Sequence, residues 1–103
     1  MTGPCSPRYA RSVIKSFWHK GLQELFENGD SKRVRQDLIT RTRERLLVLH
    51  AARKLRDLDI PGYNTHPLAT RPVRHAIKVS GPWRVTFEWI EPDAWRVDLE
   101  QYH

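Results

Sequence analysis

The hydrophobic residues of this chain follow a helical period in the first half and a two-residue period in the second. Leu22, Leu25 and Phe26 recur at the three- and four-residue spacing of one helix face. The Asn-Gly pair at positions 28 and 29 is a typical C-terminal stop. The pattern therefore predicts a short amphipathic helix over residues 20–29.

A second, longer helix is predicted directly after the first. Asp30 or Ser31 can cap its first turn, and the Pro-Gly pair at positions 61 and 62 ends the helical part of the chain. Its buried stripe is predicted to contain Val34, Leu38, Thr42, Leu46 and Leu49, widened by Leu47 and Ala52 and continued by Leu55 and Leu58.

Residues from Tyr63 onward alternate apolar and polar side chains, which indicates strands. Four strands are predicted, separated by turns that contain Gly, Pro or Asp: residues 63–68, 75–79, 83–89 and 95–100. A short β-type run at residues 13–17 precedes the helices. The chain is therefore predicted to be an α+β domain, with two N-terminal helices packed on an antiparallel sheet of about four strands.

The alternation also predicts the two sides of the sheet. The side packed on the helices is predicted to hold the apolar residues of the last two strands, which are Trp83, Val85, Phe87, Trp89, Trp95, Val97 and Leu99. Arg84 then lies on the opposite, open side with Thr86 and Glu88. A strand holds this arginine more firmly than a loop would, and its planar fork suits a phosphate.

The composition is that of an ordinary soluble domain. The 103 residues suffice for one core, with 39% hydrophobic and 29% charged residues. No run of about 18 apolar residues could span a bilayer, and no apolar segment is typical of a secretory signal. With Cys5 as the only cysteine, the cytoplasm is the expected location. Residues 1–12 are predicted to be a disordered extension and residues 13–103 a single domain.

The net charge of +6 is unevenly distributed along the chain. Residues 31–57 hold nine Lys or Arg against three Asp or Glu, whereas residues 84–103 hold two against five. A basic block of this kind attracts a polyanion, although a solvated helix face explains the charge equally well. Arg41, Arg43 and Arg45 of the predicted second helix are therefore candidates for binding a polyanion such as a nucleic acid.

The remaining candidates for chemistry are expected on the open side of the sheet. Histidine suits proton transfer near neutral pH, and a basic surface suits a phosphodiester substrate. The last two residues, Tyr102 and His103, follow a strongly patterned strand. That strand can anchor an imidazole, a phenol and a free carboxylate together. The residues expected near Arg84 are His66, Arg71 or Arg74, Tyr102 and His103.

These assignments compete with simpler ones. Arg84 could instead be a solvated surface residue or a partner of Glu88, which is the commoner situation for a single strand arginine. His19, His50 and His75 are expected to be packing or surface residues. No His, Cys and Glu cluster has zinc spacing and no phosphate-binding glycine loop occurs, so neither a metal nor a cofactor is predicted.

A series of short motifs occurs in a fixed order along residues 14–103. The motifs are Ile14-Lys15-Ser16-Phe17, His19-Lys20-Gly21-Leu22, Glu24-Leu25-Phe26-Glu27-Asn28-Gly29, Leu58-Asp59-Ile60-Pro61-Gly62, His66-Pro67-Leu68, Trp83-Arg84-Val85-Thr86-Phe87 and Tyr102-His103. Together they resemble the HigB-type toxins, the plasmid-maintenance killer-protein branch of the RelE/ParE superfamily, which also end on Tyr-His. The order and spacing of the motifs make the resemblance specific.

The resemblance implies a RelE-like fold and a ribosome-dependent mRNA interferase that cleaves in the ribosomal A site. In this family no metal is required, because the RNA 2′-hydroxyl attacks the adjacent phosphate. Carried over by position, His66 and His103 correspond to the functional histidines and Arg84 to the phosphate-binding arginine. Tyr102 corresponds to the tyrosine that stacks on or orients the substrate. A HigA-type antitoxin with a helix-turn-helix domain is the implied partner, and operator DNA would be bound only through it.

The chain departs from the family pattern at two positions that bear on chemistry. Relatives usually carry lysine where this chain has Ala69, so Arg71 or Arg74 would have to substitute. The residue before Tyr-His is often aspartate, but here it is Gln101, which cannot ionise. These departures predict weaker or differently tuned cleavage. Val13 stands where relatives begin with methionine, so residues 1–12 could be an extension.

Two other functions stay open at the level of sequence. One is a ParE-like toxin that inhibits gyrase without cleaving RNA, and Arg84 together with His103 argues against it because gyrase inhibition needs no terminal imidazole. The other is a degenerate toxin retained only for antitoxin and operator complexes, which Ala69 and Gln101 would permit. An mRNA-cleaving toxin remains the leading interpretation.

Overall fold

The computed structural model describes residues 14–101 of the chain. The predicted extension at residues 1–12 and the candidates Tyr102 and His103 lie outside the described residues. The described elements are helices α1 (Lys20–Asn28) and α2 (Ile39–Ala51), 3-10 turns at Gln36–Leu38 and Leu55–Leu58, and strands β1 (His66–Pro67), β2 (Arg74–Ser80), β3 (Trp83–Ile90) and β4 (Asp93–Gln101).

The four strands form one antiparallel sheet in the order β1-β2-β3-β4. Both helices pack on it, because the buried leucines of α1 and α2 share one hydrophobic core with the inner residues of β2, β3 and β4. The predicted α+β class, with two helices and an antiparallel sheet of about four strands, is therefore confirmed. Within residues 14–101, no helix is long and apolar enough to cross a membrane.

The β-type run before α1 joins the free edge of β4 in parallel. Ile14 bridges to Ala94 and Phe17 to Val97. The amide of Lys15 donates to the Ala94 carbonyl at 2.8 Å. The chain then enters α1, whose first turn is capped by His19 Nδ1, an acceptor for the Leu22 amide at 3.2 Å. This segment therefore fixes where residues 17–19 lie relative to β4.

The second helix is shorter than predicted. It begins at Ile39, after a turn region in which Ser31 donates to the Glu24 carboxylate at 2.7 Å instead of capping a helix. It ends at Ala51, and the chain resumes as the 3-10 turn that contains Leu55 and Leu58. The predicted stripe is buried at Val34, Leu38, Thr42, Leu46, Leu49 and Ala52. Leu47 is 44% exposed, so the prediction that it widens the stripe was wrong.

The first predicted strand is reduced to two residues. Asn64 has a φ of +48°, a left-handed conformation that interrupts extended pairing. Tyr63 before it and Leu68 after it each still make one backbone hydrogen bond to β2. The prediction of a strand over residues 63–68 was therefore correct in location but wrong in length.

A bulge in β4 changes the predicted apolar face of that strand. The pairing with β3 shifts between Thr86 and Glu88, and Arg96 at the bulge has a φ of +52°. On the N-terminal side of the bulge, Trp95 pairs with Glu88, so this tryptophan lies on the polar side of the sheet. Ala94 is the residue buried in its place. The expectation that Trp95 shares the core face with Val97 and Leu99 was wrong.

Candidate active site

The sheet surface that faces away from the helices consists of three rows of paired residues, which we call the polar face. The first row is Lys78, Arg84 and Glu100; the second is His66, Ala76, Thr86 and Asp98; the third is Arg74, Glu88 and Trp95. Side chains paired across antiparallel strands point to the same side. The polar face therefore brings Arg84 together with a cross-strand lysine and a cross-strand carboxylate.

The side chain of Arg84 is braced by the β2–β3 hairpin. Its Nη1 donates to the Gly81 carbonyl at 2.7 Å and to the Trp83 carbonyl at 3.0 Å. Gly81 adopts a φ of +53°, which a side chain would disfavour, so the turn that offers this carbonyl depends on glycine. Arg84 is half-buried. A guanidinium held in place by the carbonyls of its own hairpin is preorganised for recognising an oxyanion.

Glu88 is the centre of a buried ion-pair network at the other end of the polar face. Its carboxylate accepts from Arg74 Nη1 at 3.3 Å and from Arg96 Nη1 at 3.0 Å. The side chains of Arg74 and Glu88 are each only 8% exposed. Arg74 Nη2 also donates to the Thr86 hydroxyl and to the Arg96 carbonyl. The partners of Glu88 are therefore Arg74 and Arg96, not Arg84 as the simpler sequence interpretation held.

This network changes the interpretation of the two loop arginines. Arg74 was a candidate for replacing the lysine that Ala69 lacks, yet its guanidinium is engaged inside the fold. Arg71 is exposed and lines an open cleft of about 570 Å³ formed by residues 68–73. Of the two, Arg71 is thus the side chain available to a ligand. Arg74 lies opposite Glu88 only because the register shifts between Lys78 and Ser80, so direct counting from the Ser80–Trp83 pair would not have found this ion pair.

Replacing Glu88 by glutamine is expected to destabilise the fold. The substitution keeps the shape but leaves the Arg74 guanidinium buried without a countercharge, which costs about 3 kcal/mol of unfolding free energy. Urea denaturation of the full chain measures this loss. Glu27→Gln on the exposed face of α1 is the matched control and should stay within about 0.5 kcal/mol of the wild type. Equal stability of the two variants would refute a structural role for the network.

His66 has a defined tautomer. Its Nδ1 lies 2.6 Å from the Asn64 carbonyl oxygen, which can only accept, so Nδ1 carries the proton. In the neutral ring Nε2 is then a proton acceptor, and the side chain is exposed. An open cleft of about 420 Å³ adjoins it, lined by Leu55, Arg56, Asp59, Thr65, His66, Pro67 and His75. His66 is therefore suited to take a proton from a bound substrate.

The structure places His66 on the polar face without bringing it into contact with Arg84. Ala76 separates it from Thr86 within the second row, so His66 and β3 are two strand spacings apart, or about 10 Å. Ala76 and Thr86 between them are fully buried. The two predicted residues thus lie on the same side of the sheet but are separated by covered positions.

The other histidines have packing or capping roles. The packing of His75 and His50 agrees with the expectation, whereas the capping role of His19 was not predicted. His75 stacks on Phe87 with ring centroids 5.8 Å apart, and His50 packs on Phe26. Burial, with a smaller effect of nearby His66, lowers the pKa of His75, and burial alone lowers that of His50. The neutral form of both rings is thereby favoured, and charging them on acidification would oppose folding.

Glu100 is a residue that the sequence interpretation did not assign. It pairs with Arg84 across β3 and β4, and its carboxylate accepts a hydrogen bond from the Thr86 hydroxyl. The same hydroxyl accepts from Arg74, which links the two ends of the polar face. Glu100 alternates with Gln101 along β4, so it lies on the side of the sheet that carries Arg84. Cross-strand pairing of β3 and β4 is the signal that would have identified it.

The three arginines of α2 do not form one surface. Arg41 and Arg43 are exposed, but Arg45 is only 9% exposed. Arg45 Nε donates to the Lys78 carbonyl at 3.0 Å, and its guanidinium lies 4.3 Å from the centroid of the Tyr63 ring. This side chain joins α2 to the sheet, so we exclude it from the exposed basic surface on which it was predicted.

Two comparisons with known proteins bear on this arrangement. The family model for the RelE-like toxin of type II toxin-antitoxin system HigB matches residues 15–103 of the chain. The chain belongs to this HigB-like toxin family. Endoribonuclease HigB of Proteus vulgaris is 38% identical to it over 92 residues, which cover 88% of this chain and 100% of the relative.

Membership of the HigB-like family makes this chain the toxin of a type II toxin-antitoxin system, with an antitoxin as its partner. The match extends through β4 to the terminal Tyr-His pair, beyond the last described residue, Gln101. Among residues 14–101, no group of three or more His, Cys, Asp or Glu side chains is placed to hold a metal ion. The roles of Tyr102 and His103 stay predictions.

Proposed function

We propose that this HigB-like toxin is an endoribonuclease that cleaves mRNA on the ribosome. The observation that carries the proposal is Arg84, a half-buried arginine braced on a strand within a polar face that also holds His66. The activity named for the Proteus vulgaris relative supports it. A cytoplasmic site of action follows from the substrate.

The proposed reaction is an in-line attack of an RNA 2′-hydroxyl on the adjacent phosphate. The bond from the 2′-oxygen to phosphorus forms, the bond from phosphorus to the 5′-oxygen breaks, and a 2′,3′-cyclic phosphate remains. Arg84 binds the phosphate and stabilises the charge that accumulates on it. His66 and His103 move the two protons, one leaving the 2′-hydroxyl and one reaching the 5′-oxygen, while Tyr102 orients the substrate.

We propose that ribosome association uses exposed arginines outside this reaction centre. Arg41 and Arg43 project from α2, and Arg71 projects from the loop between β1 and β2. RNA phosphates attract such side chains without sequence preference and release counterions on binding. The basic surface would therefore contribute affinity, whereas the polar face would contribute chemistry.

Reversing the charge of Arg41 and Arg43 together to glutamate should weaken ribosome binding and reduce its salt dependence. Single-turnover cleavage at saturating ribosome should change little, since neither side chain lies on the polar face. Binding is measured as a function of salt concentration. Lys32→Glu is the control, because it reverses the charge of one exposed residue outside both α2 and the polar face. A cleavage rate that collapses even at saturation would place α2 in the reaction centre instead.

The partner proposed for this toxin is a HigA-type antitoxin with a helix-turn-helix domain. We expect it to cover the basic helices with an apolar and acidic surface, because complementary charge raises the association rate and selects the partner. The exposed Leu47 beside Arg43, in a cleft of about 470 Å³, fits such a surface. Operator DNA should be shifted in a gel by the complex but not by the toxin alone.

A translation assay with reporter mRNA tests the proposed function directly. Cleavage on ribosomes, with a cyclic phosphate at the new 3′ end, is the expected result, and addition of the antitoxin should abolish it. Inhibited DNA supercoiling with intact mRNA would favour a ParE-like gyrase inhibitor. If neither mRNA cleavage nor inhibited supercoiling occurs while the toxin–antitoxin complex still binds operator DNA, the result would favour a degenerate toxin.

A further inference from the structure

Trp18 has the highest exposure among the large hydrophobic side chains that the structure describes, at 60%. One face of its ring is covered by the guanidinium of Arg74, whose Cζ lies 4.5 Å from the ring centroid. That guanidinium is itself fixed by Glu88 and by the Arg96 carbonyl. One face of the indole is therefore fixed against Arg74, and the other face is exposed to solvent.

We propose that Trp18 is a stacking platform for one base of the bound RNA, an inference that rests on the endoribonuclease function proposed above. Aromatic side chains stack on any base, because every base has a π-face. A ring that is already immobilised loses little conformational freedom when the base arrives, so the contact is efficient. The phosphates beside that base would meet the exposed cations Lys15, Lys20 and Arg96.

The position of Trp18 identifies which base it would contact. Its Arg74 support belongs to the row of Glu88, four residues along β3 from Arg84. At a strand rise of about 3.3 Å per residue, the two rows are about 13 Å apart. Trp18 would therefore stack on a flanking base and not on one attached to the scissile phosphate. The RNA would run along the polar face between Arg84 and Trp18.

Two other roles would also place an exposed tryptophan here. Trp18 could simply shield the Arg74–Glu88 pair from water, or it could contact the antitoxin. Trp18 lies on the sheet face that carries Arg84 and among exposed cations, which favours RNA over these two roles. A shielding role depends only on apolar cover, which leucine also supplies, whereas stacking requires an aromatic ring. The variants Trp18→Phe and Trp18→Leu therefore separate the two.

The experiment measures single-turnover cleavage of ribosome-bound mRNA by the full-length toxin at increasing toxin concentration. Each variant is assayed on an intact mRNA and on a series in which one nucleotide at a time, on either side of the cleaved bond, lacks its base. Thermal unfolding of each variant is recorded in parallel. Ile90→Ala is the matched control, because Ile90 is 57% exposed and follows Glu88 on the same side of β3 but cannot stack.

The toxin concentration for half-maximal rate should rise about 5- to 100-fold for Trp18→Leu on intact mRNA. This penalty should vanish on the mRNA that lacks one particular flanking base, and Trp18→Phe should retain most of the affinity. Ile90→Ala should behave as the wild type does.

A penalty for Trp18→Leu that is the same on every mRNA would overturn the proposal, and so would wild-type cleavage by this variant. Cleavage that is normal but no longer neutralised by antitoxin would assign Trp18 to the protein interface instead. Absence of cleavage by the wild type would reject the proposed function together with this inference, whereas the preceding outcomes reject only the stacking role.

Discussion

Arg84→Lys should lower single-turnover cleavage of ribosome-bound mRNA by about 10²- to 10³-fold, although it preserves the charge. A lysine ammonium cannot both donate to the hairpin carbonyls of Gly81 and Trp83 and present a planar fork to a phosphate. The loss should therefore appear in the rate at saturation, because the phosphate is bound most strongly in the transition state. Ribosome binding by the variant should be nearly unchanged.

The control for this substitution is Arg53→Lys, at an exposed arginine outside the polar face. It makes the same chemical change and should leave both cleavage and stability as they are. Thermal unfolding must show that Arg84→Lys is folded, since the wild-type side chain also braces the hairpin. Near-normal cleavage by a folded Arg84→Lys would reduce Arg84 to a general contributor of positive charge.

The alternation of β3 made the sheet predictable from the sequence, whereas the bulge in β4 was not. Val85 and Phe87 are fully buried and Arg84 is on the opposite side, as period two requires. A bulge inserts one residue without a compositional signature here, since Arg96 is not a glycine despite its φ of +52°. Every residue before the bulge consequently changes side, which is why Trp95 was misplaced.

Charge patterning located the basic residues but could not separate exposed from buried ones. Arg45 and Arg74 looked like surface cations, yet each is buried and bonded to groups far away in sequence. Arg45 needs the Lys78 carbonyl and the Tyr63 ring, and Arg74 needs Glu88. Such partners become neighbours only after the sheet has formed, so tertiary structure decides the role. Trp18 was not singled out for the same reason, because its support is also non-local.

Deleting His103 should lower cleavage by about 10²- to 10⁴-fold, the usual range for a group that transfers a proton in the transition state. The prediction rests on the family match, which extends through residue 103, and on the proton acceptor or donor that the proposed reaction needs besides His66. Stability should change little, because residues between Leu22 and Leu99 already form one hydrophobic core. His103→Gln provides the matched variant, since it keeps the chain length and terminal carboxylate while removing the titratable ring. Both variants should show this reduced cleavage and fold normally. Full toxicity of either one, expressed at the wild-type level, would remove His103 from the mechanism.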